Sequence, residues 1–216
     1  KQNSLERNSD IVKEILMIVS YFKKLPHELT LLDFGMGSGK WAMIAKALGC
    51  RVYGYDLSSS NMRIGKNNGI NCLTYDQIAE LRFDFINTEQ VFEHLPMPTK
   101  TLQYLAGVLK NDGIVKISVP FCSNISKRIK RLNWDAKKTE KDSLSPIAPL
   151  EHINYFRRKS IVIMGEKASL KEILIPMKIF YRFNSNWDGF KGTLKNFFWP
   201  IYINILKRRN YVFLKK

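Results

Sequence analysis

Short apolar runs and helix-period segments take turns five times between residues 28 and 120, joined by short links. ELTLLDF (28–34) reads as a buried strand, and KWAMIAKAL (40–48) as a helix stopped by Gly49. CRVYGYD (50–56) is a second strand, SSSNMRIGKNN (58–68) a helix closed by Gly69, and INCLTY (70–75) a third strand. FDFINT (83–88) is a fourth strand, TKTLQYLAGVLK (99–110) a helix ended by Asn111-Asp112-Gly113, and GIVKISVP (113–120) a fifth strand. Near-continuous apolar strands connected through helices need a crossover each time, so they lie parallel with helices on both faces. The expected class is α/β, a doubly wound and mostly parallel sheet.

The flanks are less regular. Residues 9–24 carry apolar side chains at helical spacing behind Ser9 or Asp10 as a cap. After Pro120 the rhythm breaks, and the polar, basic, proline-punctuated stretch 123–149 is long enough to be a lid or substrate segment. Residues 157–168 resume as a helix and 170–183 as a strand or strand pair. TLKNFFWPIYINILKRR (193–209) puts Leu194, Phe197, Phe198, Ile201 and Ile205 on one helical face, kinked at Pro200, and NYVFLKK (210–216) closes as a short strand.

The first strand runs into LLDFGMGSGK, where Gly35, Gly37 and Gly39 follow Asp33. A nicotinamide fingerprint would need glycine at position 40, which is Lys40. A P-loop would need Ser or Thr after that lysine, and Trp41 stands there. What remains is a tight turn, or a loop whose amides face a ligand from a helix N-terminus. Asp56 lies 23 residues after Asp33, at the carboxyl end of the second strand. In doubly wound sheets an acid there accepts hydrogen bonds from ribose hydroxyls; its structural alternative is to cap the next helix.

Together, LLDFGMGSGKWAMIAKALGCRVYGYDLSSSNM, FDFINTEQVFEHL and LKNDGIVKISVP resemble the class I S-adenosylmethionine-dependent methyltransferases, of the type acting on small molecules or glycans. The resemblance runs from about residue 29 to 120 and implies a seven-stranded Rossmann-like sheet whose last strand, NYVFLKK, inserts antiparallel. It implies that Gly35, Gly37, Gly39 and neighbouring backbone hold the methionine moiety of S-adenosylmethionine, with Asp33 organising the loop. Asp56 would bind the ribose, Leu57 would flank the adenine, Tyr75 and Asp76 would sit near its amine, and Thr88 completes the set. One methyltransferase domain over 1–216 is expected: an N-terminal helix in 1–28, a donor-binding core in 29–120 and an acceptor side in 121–216.

Two stretches bear on the chemistry of transfer. QVFEHL (90–95) follows the fourth strand, where many relatives read EVLEHL; in some of them two acids and the adjacent histidine bind a divalent metal. Gln90 stands in place of the first acid, with Glu89 one position out of register, and an amide is a poor ligand for a hard cation. No metal is therefore expected. Glu93 and His94 are candidates for catalysis, against a role in capping and packing. PLEHINYFRRKSI (149–161) resembles an element that faces the active-site mouth in relatives, which makes His152 a candidate base and Tyr155 or Phe156 walls of the acceptor pocket. His27 is expected at the surface.

Charge then bears on partners. The chain carries a net +16, of which residues 1–108 contribute only +1. A basic second half implies a polyanionic partner or simply a solubilising face. Three acceptor classes fit: a small molecule or glycan, including a lipid-linked saccharide; an RNA, although no RNA-binding module is visible; and, beyond catalysis, peripheral membrane contact through 194–209. A catalytically silent binding subunit is the non-enzymatic alternative, which an intact glycine loop and Asp56 disfavour. Three cysteines without a CxxC pair fit a reducing compartment. With no signal-peptide pattern and no bilayer-length apolar run, the expected location is the cytoplasm or the inner membrane surface. The chain opens on Lys1 rather than methionine, which leaves an upstream targeting segment open.

Overall fold

A computed structural model describes residues 2–120, 122, 124–137, 140, 142–148, 151–183 and 211–216. The helix expected over 193–209, with its proposed membrane face, lies outside the described residues.

Seven strands form one sheet in the order β3-β2-β1-β4-β5-β7-β6. They are β1 (Thr30–Phe34), β2 (Arg51–Tyr55), β3 (Asn71–Cys72), β4 (Phe83–Glu89), β5 (Leu109–Ser118), β6 (Lys171–Ile173) and β7 (Tyr211–Lys215). Strands β1 to β5 pair in parallel, while β7 runs antiparallel to both neighbours, β5 and β6. The chain winds outward from β1 to β3, then restarts at β4 on the other side of β1. The crevice at this reversal, beyond the carboxyl ends of β1 and β4, is where open α/β sheets bind ligands.

Strand periodicity sorts the core into two layers. Leu31, Phe85, Ile114 and Phe213 face one side, against Ile15 and Ile18 of α1 (Gln2–Phe22), Ala42 and Ala45 of α2 (Lys40–Ala47) and Phe180. Their chain neighbours Leu32, Ile86, Val115 and Leu214 face the other side, against Leu102 and Leu105 of α5 (Pro98–Val108) and Ile161 and Met164 of α7 (Arg158–Lys167). In chain order, α3 (Ser59–Asn67) and α4 (Tyr75–Ala79) come between α2 and α5, and α6 (Ile125–Arg131) between α5 and α7. At the edge away from the crevice, the buried Asp84 carboxylate ties three segments together. It accepts from Lys24 (2.8 Å), Lys110 (2.6 Å) and the Thr30 N–H (2.8 Å).

Four boundaries differ from the sequence reading. Helix α1 begins at Gln2 and runs through Ser9 and Asp10, so neither caps it. The third strand is two residues rather than six, because Thr74 and Gln77 form a capping box that starts α4 at Tyr75. The fifth strand starts at Leu109, inside the segment read as the end of a helix. Residues 170–183 divide into the short β6 and a helix, α8 (Met177–Phe183). Pro176 has no N–H to continue a strand ladder, and Ile179 and Phe180 pack with the α1 side chains.

Candidate active site

The chain turns sharply at the carboxyl end of β1. The amides of Gly35 and Met36 both donate to the Tyr55 carbonyl, at 2.8 and 3.0 Å, which fastens the loop to β2. Gly35, Gly37 and Gly39 all have positive φ. A Cβ on Gly35 would lie 2.3 Å from Val91 Cγ2, whereas one on Gly37 would meet nothing within 4 Å. Gly35 is thus required by protein packing, and Gly37 leaves room beside the loop. Gly39 is the N-cap of α2 and packs against Ile70.

Asp56 reaches across to this loop. Its Oδ2 accepts the Gly37 N–H at 2.8 Å, and its Oδ1 accepts from the Ser58 N–H (2.9 Å) and Asn61 Nδ2 (3.1 Å). A carboxylate has about four acceptor positions, so roughly one remains. The acid therefore serves the start of α3, the structural alternative weighed from the sequence, and it also holds the glycine loop.

A cavity of about 470 Å³ lies between the loop, the ends of β4 and β5, and α1. Asp33, Asn87, Glu89 and Lys116 line it from the sheet, and Arg7 and Glu14 from α1. Asn87 Nδ2 donates to Asp33 Oδ1 at 2.8 Å, while Asp33 Oδ2 and Asn87 Oδ1 are buried with no partner among the described residues. Burial pushes the Asp33 carboxyl up to about 7, against the opposing pull of Asn87 and the Lys116 charge. Lys116 is itself buried in β5. Its ammonium contacts Glu14 (2.7 Å) and Glu89 (3.0 Å), and Glu14 also accepts from Trp41 Nε1 at 3.0 Å. Burial alone would favour the neutral amine, but the two carboxylates outweigh it and hold the ammonium above its ordinary range.

A second cavity of about 320 Å³ shares Gly35 and Gln90 with the first. Tyr55, Asp56, Leu57, Tyr75 and His94 line it. Phe34 and Tyr55 stack at 5.0 Å, and Tyr104 stacks on Tyr75 at 4.3 Å while donating its hydroxyl to the Tyr75 carbonyl (2.6 Å). Burial raises the Tyr104 phenol to about 12, so it stays neutral.

The wall beyond Val91 gathers three further candidates. Asn154 clamps the 149–161 element onto the end of β4: its N–H donates to the Glu93 carbonyl (3.0 Å), and its Nδ2 to the Leu95 carbonyl (2.7 Å). The His94 and His152 rings meet edge to face at 5.0 Å. His94 Nδ1 lies 2.7 Å from the Glu151 carbonyl, and His152 Nδ1 lies 3.2 Å from the Pro146 carbonyl. A carbonyl only accepts, so each Nδ1 carries hydrogen, and a neutral ring then presents Nε2 as a lone pair. Glu93 beside them is buried, neither carboxylate oxygen has a hydrogen-bond partner among the described residues, and burial raises its pKa. One ligand atom from each of the three lies within 4.8 Å of the others, so the group could hold a metal ion.

Not every expected residue reaches a cavity. Thr88 is buried and donates its hydroxyl to the Lys116 carbonyl. Asp76 is exposed and lines neither cavity. Tyr155 donates to the Cys122 carbonyl (3.0 Å), and Phe156 packs on the core. Conversely, Asn87, Lys116, Glu14 and Arg7 were not singled out from the sequence. Lys116 had a signal, since a lone charge inside GIVKISVP must find a partner if that strand is central. Asn87 and the α1 residues had none, because their roles come from contacts distant in the chain.

The comparisons with known proteins point the same way. A family profile described as a methyltransferase domain matches residues 5–173. A ubiquinone biosynthesis O-methyltransferase from Colwellia psychrerythraea is 23% identical over 157 residues, covering 67% of this chain and 62% of that protein. The chain therefore spans less than two thirds of that relative's length. Among solved structures, a SAM dependent methyltransferase from Archaeoglobus fulgidus superposes with a TM-score of 0.57 at 16% identity, covering 96% of this chain and 94% of its own. Magnesium protoporphyrin IX methyltransferase from Synechocystis, crystallised with S-adenosylhomocysteine, gives 0.56 at 16% identity, covering 77% and 74%. With its glycine loop, seven-stranded sheet and profile match over most of its length, this chain belongs to the methyltransferase domain family.

Proposed function

We propose that this protein transfers the methyl group of S-adenosylmethionine to a hydroxyl oxygen of a small-molecule or glycan acceptor, with His94 as the base. One observation carries the reading: His94, its Nδ1 committed to the Glu151 carbonyl, lines the same cavity as Gly35 and Asp56. Relatives named O-methyltransferases and a neighbour crystallised with S-adenosylhomocysteine support it.

The residues fit the donor. Gly37 leaves open space beside the loop, and Asp33 and Asn87 each present a buried acceptor without a partner among the described residues, as the ammonium of a methionine moiety needs. The donor supplies a sulfonium-bound methyl that is already electrophilic, so the protein's main contribution is alignment. The remaining acceptor position of Asp56 would hold the ribose, and Leu57 and Tyr75 would flank the adenine. His94 Nε2 would take the acceptor's proton, and the Glu93 carboxylate would steady the resulting imidazolium. His152, beside them, would pass the proton outward. A catalytically silent role has less support because the loop and Asp56 are intact, and an RNA acceptor has only the charge in its favour.

In turnover assays with labelled donor, His94→Ala should lower kcat about 10²- to 10⁴-fold and remove the acidic limb of the pH–rate profile. EDTA should leave wild-type turnover unchanged. Loss of turnover on chelation, restored by a divalent cation, would show that Glu93, His94 and His152 hold a metal instead.

A further inference from the structure

The most unusual surface lies outside both cavities, on α6 and the turn that follows it. Ile129, Leu132 and Trp134 are 44, 54 and 60% exposed within six residues. Lys127 and Lys130 are exposed among them. Leu132 also sits at φ 49 as the C-cap of α6, a position usually given to glycine or asparagine. A large apolar side chain at a strained, wet position gains nothing from water.

The segment is nevertheless held firmly. Ile125 is buried, Arg128 donates to the Ser143 carbonyl at 2.7 Å, and Arg131 pairs with Asp142. Arg157, within the same element as His152, donates to Ser126 at 3.2 Å. Apolar and indole side chains interleaved with lysines are the composition that settles at the boundary between lipid headgroups and acyl chains. A second copy of the chain would bring like charges together, and an RNA would leave Ile129 and Leu132 without a matching surface.

We propose that α6 and its following turn form a docking surface for an anionic lipid bilayer, placing the His94–His152 side of the molecule toward the membrane. It does not rest on the methyl-transfer reading, so flotation and turnover can fail independently. Among the described residues no helix is long and apolar enough to cross a membrane, so the contact is peripheral.

Vesicle flotation tests it. Wild-type protein should float with phosphatidylglycerol/phosphatidylcholine vesicles and much less with phosphatidylcholine alone. Lys127→Gln with Lys130→Gln should weaken partitioning about 25-fold, at roughly fivefold per basic side chain near an anionic surface. Leu132→Ser with Trp134→Ser should weaken it comparably. All four positions are exposed, and an unchanged melting temperature confirms that the variants fold. Flotation equal to wild type in both variants would overturn the proposal and place the contact elsewhere. Binding to heparin or single-stranded RNA without binding to vesicles would overturn it as well.

Discussion

Asp33 carries a cost to the fold that a role in ligand binding would explain. Its carboxyl titrates near 3.8 in an unfolded chain and at about 7 in the folded one, because burial disfavours the charge. The folded state therefore binds the proton more tightly, and stability falls as pH rises between those two values. Asp33→Asn removes that loss. The ligand-free variant should be more stable than wild type above pH 7, by roughly 4 kcal/mol at the ceiling, and should show no such gain below pH 3.8. If the ionised carboxylate receives the donor's ammonium, wild-type affinity for S-adenosylhomocysteine should weaken as pH drops through 7. The variant should bind more weakly and without that dependence. Melting curves and titration calorimetry across pH 5–9 measure both effects. A variant that melts lower and binds equally well would remove Asp33 from this role.

At the scale of elements, the link between α1 and the sheet matters most. Lys116 of β5, Glu14 of α1 and Glu89 of β4 form one charged cluster, which Trp41 of α2 joins through Glu14. The cluster fixes α1 as a wall of the larger cavity. Removing one partner of a buried pair leaves the others uncompensated, so Lys116→Ala should cost about 3–5 kcal/mol. Glu14→Ala leaves Lys116 with Glu89 and should cost less. It should, however, speed limited proteolysis within α1 and weaken donor binding, which protease mapping and calorimetry would show. Unchanged cleavage in Glu14→Ala would mean that apolar packing alone seats α1. The same contacts explain what the sequence hid. Ile179 and Phe180 look like strand residues locally, but they pack as a helix against α1, a partner over 150 residues away. The third strand shrank because local capping by Thr74 and Gln77 prevailed at a sheet edge, where few pairings oppose it.

For the molecule as a whole, the alternating pattern from residue 28 to 120 was enough to read the parallel sheet, and the glycine loop with Asp56 marked the crevice. Those signals are local: period, turn residues and an acid at a strand end. The meeting of Glu93 and His94 with His152 was not legible as a cluster, since it depends on Asn154 clamping a loop some 60 residues downstream. The charge asymmetry was plain, but the exposure of Ile129, Leu132 and Trp134 among those charges was not. The functional reading turns on the identity of the ligand at the glycine loop. The direct measurement is thermal stabilisation by S-adenosylhomocysteine in wild type and Asp56→Ala, with NAD as the competing ligand. S-adenosylhomocysteine should raise the wild-type melting temperature by several degrees, leave Asp56→Ala nearly unmoved, and have no counterpart with NAD. Stabilisation by NAD and none by S-adenosylhomocysteine would contradict a methyl-donor site.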